Sequence, residues 1–275
     1  LVSKDGLGLE VGPSHQPYFT RAAGYNVEIL DHASAEDLRR HYAAMGHDIS
    51  RIEEVNYVSD GRPMHEVIPH SEHYDYIFAA HVIEHVSDFL GFFKSCERLL
   101  KPTGVVILAA PDKRFCFDVF QPLSTTGRVL DAHFHGRSDR HSPGKVYDHF
   151  SNIAVLEGKG IWNEDDAGSA WFANDLANSY RLFKDAGRPD GAYIDIHAWH
   201  FTITSFRLLI RDLNELALLT LRERVFSQSE PYEFVIVLDK VSVGCNVPRI
   251  ELLTQVQREV KEGLAPILTS VQKHS

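Results

Sequence analysis

The sequence predicts an α/β domain on a mostly parallel sheet, and three observations carry that reading. Short apolar runs recur through the first 118 residues with helix-patterned stretches between them. The runs are continuous rather than alternating, as strands buried on both faces require. Several close on a carboxylate or a glycine, residue types suited to turning a chain out of a sheet rim.

Taken in order, residues 7–11 and 27–30 are the first two strands, with a helix across 35–45. Residues 54–58 are a third strand, closed by Asp60-Gly61, and 75–80 a fourth, followed by a helix through 89–100. Lys101-Pro102-Thr103-Gly104 then turns the chain into 105–110, the clearest strand of the sequence. Right-handed crossovers put the carboxyl ends of these strands on one rim.

Residues 119–198 break the rhythm. They hold turn-rich stretches at 136–138, 142–144 and 163–168 among aromatic residues and histidines, and read as an insertion lying over the rim. A long amphipathic helix is expected over 205–219, then two late strands at 222–226 and 232–238, with Pro231 in the turn between them. These form an antiparallel ribbon at the sheet edge. The tail from Glu251 has helical spacing. The expected division is therefore 1–118, the insertion 119–198, a return to the same domain over 199–245, and a helical tail over 246–275.

Composition narrows the classes of function. With 28 basic and 38 acidic residues the formal charge is −10, which argues against a general nucleic-acid or anionic-membrane surface. Cys96, Cys116 and Cys245 form no close pair, so a reducing, cytoplasmic setting is expected rather than a disulfide scaffold. No run of 18 apolar residues and no cationic leader stands in the chain. The first residue is Leu1, so an upstream segment carrying a flap over the ligand is a further expectation.

The first two strands end in a way that has chemical meaning. Leu9-Glu10-Val11-Gly12-Pro13-Ser14 ends a strand in an acidic residue, one spacer and a glycine, and Asp31 ends the next. Side by side, these ends make a site for a ribose-bearing cofactor, with Gly12 allowing close approach and Asp31 receiving ribose hydroxyls. A nicotinamide enzyme shares the acid after strand two but needs Gly-x-Gly-x-x-Gly, and the chain does not continue that way from Gly12. The same lack of glycines leaves no nest for a pyrophosphate.

With LEVGPS, the Asp31 strand end, SDG at 59–61, YDYIFAAHVIEHV at 74–86 and LLKPTGVVILAAPD at 99–112, the chain resembles a class I S-adenosylmethionine-dependent methyltransferase. The resemblance covers about residues 6–118 and resumes from His200. It implies a Rossmann-like methyltransferase fold: a mostly parallel seven-stranded sheet with an antiparallel edge strand and an inserted lid region. It also implies S-adenosylmethionine as cofactor. Glu10 and Gly12 would lie under its methionine part, Asp31 at its ribose, Asp60 and Gly61 at its adenine, and His81 near its sulfonium, with Pro13 and His32 as further cofactor-binding residues. PDKRFCFD at 111–118 and the histidine-rich insertion resemble a bacterial subgroup acting on small molecules or sugars. Ser14 stands where such turns often carry a second glycine, and it motivates the alternative of an inactive, cofactor-binding support protein.

Other segments have both a chemical and a structural reading. His81-Val82-Ile83-Glu84-His85 is the H-x-x-E-H pattern of an inverted zinc protease if it is helical; otherwise it lines the cofactor loop. Asp112 can face the transferred methyl group or pair with Lys113 or Arg114, and those two cations can also meet a substrate phosphate or carboxylate. The insertion supplies His133, His135, His141 and His149, with Asp131, Asp139 and Asp148, but no compact metal-binding spacing, so no metal is assigned. A histidine as general base is preferred there. His200, with His197 beside it, should return to the rim before a helix capped by Thr204 or Ser205. Trp162, Trp171, Phe172, Trp199 and Phe201 line a cavity or fill the core.

The expected chemistry is methyl transfer to an oxygen of a polar, sugar-like small molecule, with Asp112, His133 or His200 taking the acceptor's proton. A homo-oligomer stays open.

Overall fold

The computed structural model describes residues 2–136, 139–163, 165–166 and 168–271. Arg137, Ser138, Glu164 and Ala167 of the expected turns, and the last four residues of the tail, lie outside the described residues. Along the chain come β1 (Gly8–Val11), β2 (Val27–Asp31), α1 (Ala35–Ala44), β3 (Tyr57–Val58), α2 (Met64–Val67), β4 (Tyr74–Ala80), α3 (Phe89–Leu99) and β5 (Leu100–Pro111). Then follow α4 (Thr126–His135), α5 (Pro143–Asn152), β6 (Ala154–Leu156), β7 (Ala170–Phe172), α6 (Leu176–Ala186), α7 (Ile203–Glu215), β8 (Arg222–Glu230), β9 (Glu233–Asp239) and α8 (Arg249–Val271).

Seven strands form one sheet in the order β3-β2-β1-β4-β5-β9-β8. β1, β2, β3, β4 and β5 pair in parallel; β9 runs antiparallel to β5, and β8 antiparallel to β9. β1 lies between β2 and β4, and all four of its residues are buried. That is the two-sided covering expected of continuous apolar strands. α3 shows how a helix covers the sheet: Phe89, Phe92, Phe93, Cys96 and Leu99 recur at helical spacing and are all buried. Asp88 starts this helix by accepting the Gly91 N–H at 2.9 Å.

Several boundaries differ from the sequence reading, among them the end of α7 at Glu215 and of β8 at Glu230, and four differences have a local reason. β3 shrinks to two residues because Asn56 meets β2 with its side chain, Oδ1 accepting the Ile29 N–H at 2.9 Å. Residues 101–104 are not a turn between elements but a bulge within β5: pairing jumps from Tyr74–Leu100 to Tyr76–Val105. Lys101 is tied there to Asp75 at 2.8 Å. α7 starts at Ile203 rather than Ser205, because Thr202 and Ser205 cap each other reciprocally. The segment around His81–Glu84–His85 is a turn, and α3 begins only at Phe89, so the helical face needed by the inverted zinc-protease pattern is not formed.

Residues 119–198 contribute no described strand to the main sheet. They build α4, α5, α6 and the antiparallel β6–β7 pair. Among the described residues, no helix is long and apolar enough to cross a membrane. A cavity of about 740 Å³ is lined by α8, β8, Arg114 and Ile203 of α7, not by the ends of β1, β2 and β4.

Candidate active site

The register of the sheet places the loops that matter next to one another. Val11 pairs with Leu30 on one side and Ala79 on the other, so the chain leaves β1 at Gly12 between the ends of β2 and β4. Asp31 pairs with Val58, which brings the Asp60–Gly61 turn to the far side of Asp31. Three residues at this rim have left-handed backbones: Gly12 (φ 65°), Ser14 (φ 53°) and His81 (φ 53°). A Cβ on Gly12 would stand 2.9 Å from Val82 Cγ2, so the loops after β1 and β4 touch through that glycine. Ser14 keeps the conformation a glycine would favour, at a cost of about 1 kcal/mol.

Two buried carboxylates fix the first loop. Glu10 accepts the Tyr18 N–H at 2.7 Å and the Phe19 N–H at 3.1 Å, so both its oxygens hold the chain beyond Gly12. Burial pushes its carboxyl up to about 7 against the pull of those two amides. Asp31 Oδ2 accepts the Ser14 N–H at 2.8 Å, and Oδ1 accepts the His32 N–H at 2.7 Å. The exposed His32 ring also sits 2.7 Å from Oδ1, and that hydrogen bond pushes the imidazole up. Pro13 is half-buried between these anchors. Asp60 is tied to Arg62 Nε at 2.8 Å, and Gly61 faces Asp139 of the insertion.

His81 is not a free base. Its Nε2 is 2.7 Å from Glu233 Oε2 and its Nδ1 3.5 Å from Glu84 Oε1, and these bonds push the ring up to about 10. The three candidate bases fare differently. Asp112 gives both oxygens to Arg114, at 2.9 Å from Nε and 2.7 Å from Nη2. His133 holds Asp88 at 2.9 Å and so fastens α4 to the start of α3. His200 alone faces a carboxylate at the rim without a hydrogen bond at Nε2, 3.7 Å from Asp118 Oδ1.

Around His200 the fold assembles a group that no local pattern announces. Asp118 follows the short turn after β5, His149 lies on α5, and His197 and His200 precede α7. His197 Nδ1 lies 2.5 Å from Asp118 Oδ2. Burial opposes charge on this pair, but the bond outweighs it: the His197 ring is pushed up and the Asp118 carboxyl down. Burial pushes His149 down to about 4 and His200 down to about 3, leaving both rings neutral near pH 7. The group is joined to the β4 loop: Ala198 N–H and Trp199 N–H both donate to Glu84 O, at 2.7 and 3.2 Å, and the His85 and His197 rings meet edge to face. Trp199 and Phe201 are core residues, as is Trp162, whereas Trp171 and Phe172 are exposed.

Sequence reasoning named His149, His197 and His200 separately and missed Asp118, the carboxylate that joins them. The only signal for it was its place at the end of PDKRFCFD.

A sheet of this order, with acidic and glycine loops at the ends of β1 and β2, defines a class I S-adenosylmethionine-dependent methyltransferase-like fold. The chain belongs to the family described as methyltransferase domain, whose model matches residues 5–214. No curated protein matches it. Among solved structures it is similar to an S-adenosylmethionine dependent methyltransferase from Mesorhizobium loti, at 13% identity and TM-score 0.42, covering 86% of this chain and 93% of that one. It is similar also to the PH0226 protein from Pyrococcus horikoshii OT3, at 15% identity and TM-score 0.41, covering 85% and 81%. A third is a SAM-dependent methyltransferase from Methanosarcina mazei, at 12% identity and TM-score 0.41, covering 87% and 94%.

Proposed function

We propose that the protein is an enzyme that transfers a methyl group from S-adenosylmethionine to an oxygen of a polar, sugar-like small molecule. The observation that carries this reading is the placing of Gly12, Asp31 and His81 at the ends of three neighbouring strands, with the His197–Asp118 pair tied to the same rim through Glu84. The donor set fits the cofactor: a buried carboxylate at the end of β2 for ribose hydroxyls, and a left-handed loop beside it that can pass close under an aminoacyl chain. Asp31 would take a ribose hydroxyl in place of the exposed His32 ring. Asp60 and Gly61 would border the base, and Gly12, Pro13 and Ser14 the methionine part. Glu10 would serve by holding the loop.

S-adenosylmethionine supplies a methyl group already activated by its sulfonium, so the protein's work is alignment and proton removal. The acceptor oxygen attacks the methyl carbon as the carbon–sulfur bond breaks, and the hydroxyl proton leaves to a base. His197 is the ring that Asp118 orients for that task, while Asp112 and His133 are engaged elsewhere and His200 is more deeply buried. Residues 119–198 act as the lid that selects the acceptor. The Ser14 departure does not argue for a support role, because its backbone keeps the left-handed turn.

Calorimetric titration with S-adenosylmethionine, then a methyl-transfer assay over a panel of sugar and other hydroxyl acceptors, tests the reading. Binding with turnover on a hydroxyl acceptor is expected. No binding would end the proposal, and binding without turnover on any acceptor would replace it with the support role.

A further inference from the structure

We propose that Asp118, His149 and His200 form a binding site for one divalent transition-metal ion of the zinc or ferrous class. This does not depend on the methyl-transfer reading. One donor atom from each residue lies within 4.8 Å of the other two, and all three residues are buried. Among the described residues, Asp118 Oδ1, His149 Nδ1 and His200 Nε2 have no hydrogen-bond partner. A buried polar atom left unpaired is costly, and one such atom on each of three clustered side chains calls for a shared partner. Two imidazoles and one carboxylate are the donors that suit zinc and non-haem iron, and three protein ligands leave a coordination position open.

The surroundings hold these donors in place. The second oxygen of Asp118 is taken by His197 Nδ1, which fixes the carboxylate plane and leaves Oδ1 facing the group. His200 is clamped through its backbone: its N–H donates to Ser124 Oγ and its carbonyl accepts the Ser124 N–H, both at 3.0 Å. Gln121 Nε2 donates to the carbonyls of Asp148 and His149 at 3.0 and 3.1 Å, which holds α5 against the Asp118 segment. A metal here would therefore staple α5 of the insertion to the two chain segments nearest the end of β5. A second group, Glu84, His85 and His197, also meets the distance requirement among the described residues. There Glu84 Oε1 already stands 3.5 Å from His81 Nδ1, and His85 Nδ1 is held by Asp195 at 2.9 Å.

The test uses the full chain stripped with chelator and titrated with Co²⁺, followed by visible absorption, and with Zn²⁺ in competition. One equivalent per chain is expected, with affinity falling about tenfold or more in His149→Gln and His200→Gln. Folding of each variant is checked by far-UV circular dichroism. Glu84→Gln should leave the stoichiometry at one. Zn²⁺ should raise the melting temperature of the stripped wild type and not that of His149→Gln. Sub-stoichiometric binding by the wild type would overturn the proposal. So would His149→Gln and His200→Gln variants that bind like wild type, or loss of the site on Glu84→Gln alone.

Discussion

The loops around Gly12 and Asp31 and the group around Asp118 share one rim, yet they are held together by different means. The loops are anchored by backbone N–H groups: those of Ser14, Tyr18, Phe19 and His32 all donate to the Glu10 and Asp31 carboxylates. Their shape follows from the strands beneath, and side chains elsewhere could change without disturbing it. The Asp118 group is side chain against side chain, drawn from three separated segments, with His149 and His197 inside the insertion. Its centre is the His197–Asp118 bond, and removing either of those two side chains strands a buried polar partner. The first region should therefore respond to substitution in cofactor binding and the second in stability.

The largest expected effect lies in the second region. Asp118→Ala leaves His197 and its neighbours without their buried carboxylate and should cost about 3 kcal/mol of folding stability, read from urea denaturation. A loss below about 1 kcal/mol would mean that the group is not a cooperative unit. Next comes Asp31→Ala, which should weaken S-adenosylmethionine binding by about tenfold to a hundredfold in calorimetry. His197→Ala should leave that binding within about twofold while methyl transfer falls by about a hundredfold or more. Equal losses in both would erase the distinction between the regions.

A pH-dependent effect of comparable size comes from Glu10. Its folded carboxyl titrates near 7 because of burial, above its ordinary value of 4.5. The proton is thus held more tightly in the folded chain. Its stabilising contribution is complete below about pH 4.5 and is lost as pH rises through 7, a span of about 3 kcal/mol. Glu10→Gln should flatten the difference between denaturant midpoints at pH 5 and pH 8; an unchanged profile would assign that dependence to other groups. Smallest of all, Ser14→Gly should raise stability by about 0.5 to 1 kcal/mol through relief of the left-handed strain, seen as a higher melting temperature.

The same contrast explains what could be read from residues alone. β1, β2, β4, β5 and α3 were legible because continuous apolar runs and helical spacing act within a few residues. The positions of Gly12 and Asp31 followed from strand ends. The shortening of β3 was not legible, because it depends on Asn56 reaching β2 with its side chain. Nor were the fates of Asp112 and His133, which hang on Arg114 and on Asp88 at the start of α3. The Asp118–His197 contact joins residues far apart in sequence, and nothing in either segment specifies the other.

One backbone feature ties the two regions into a single device. The Glu84 carbonyl receives two amides from the segment that carries His197 and His200. Val82 of the same β4 turn stands against Gly12, so one short turn carries a backbone tie on one side and a side-chain contact on the other.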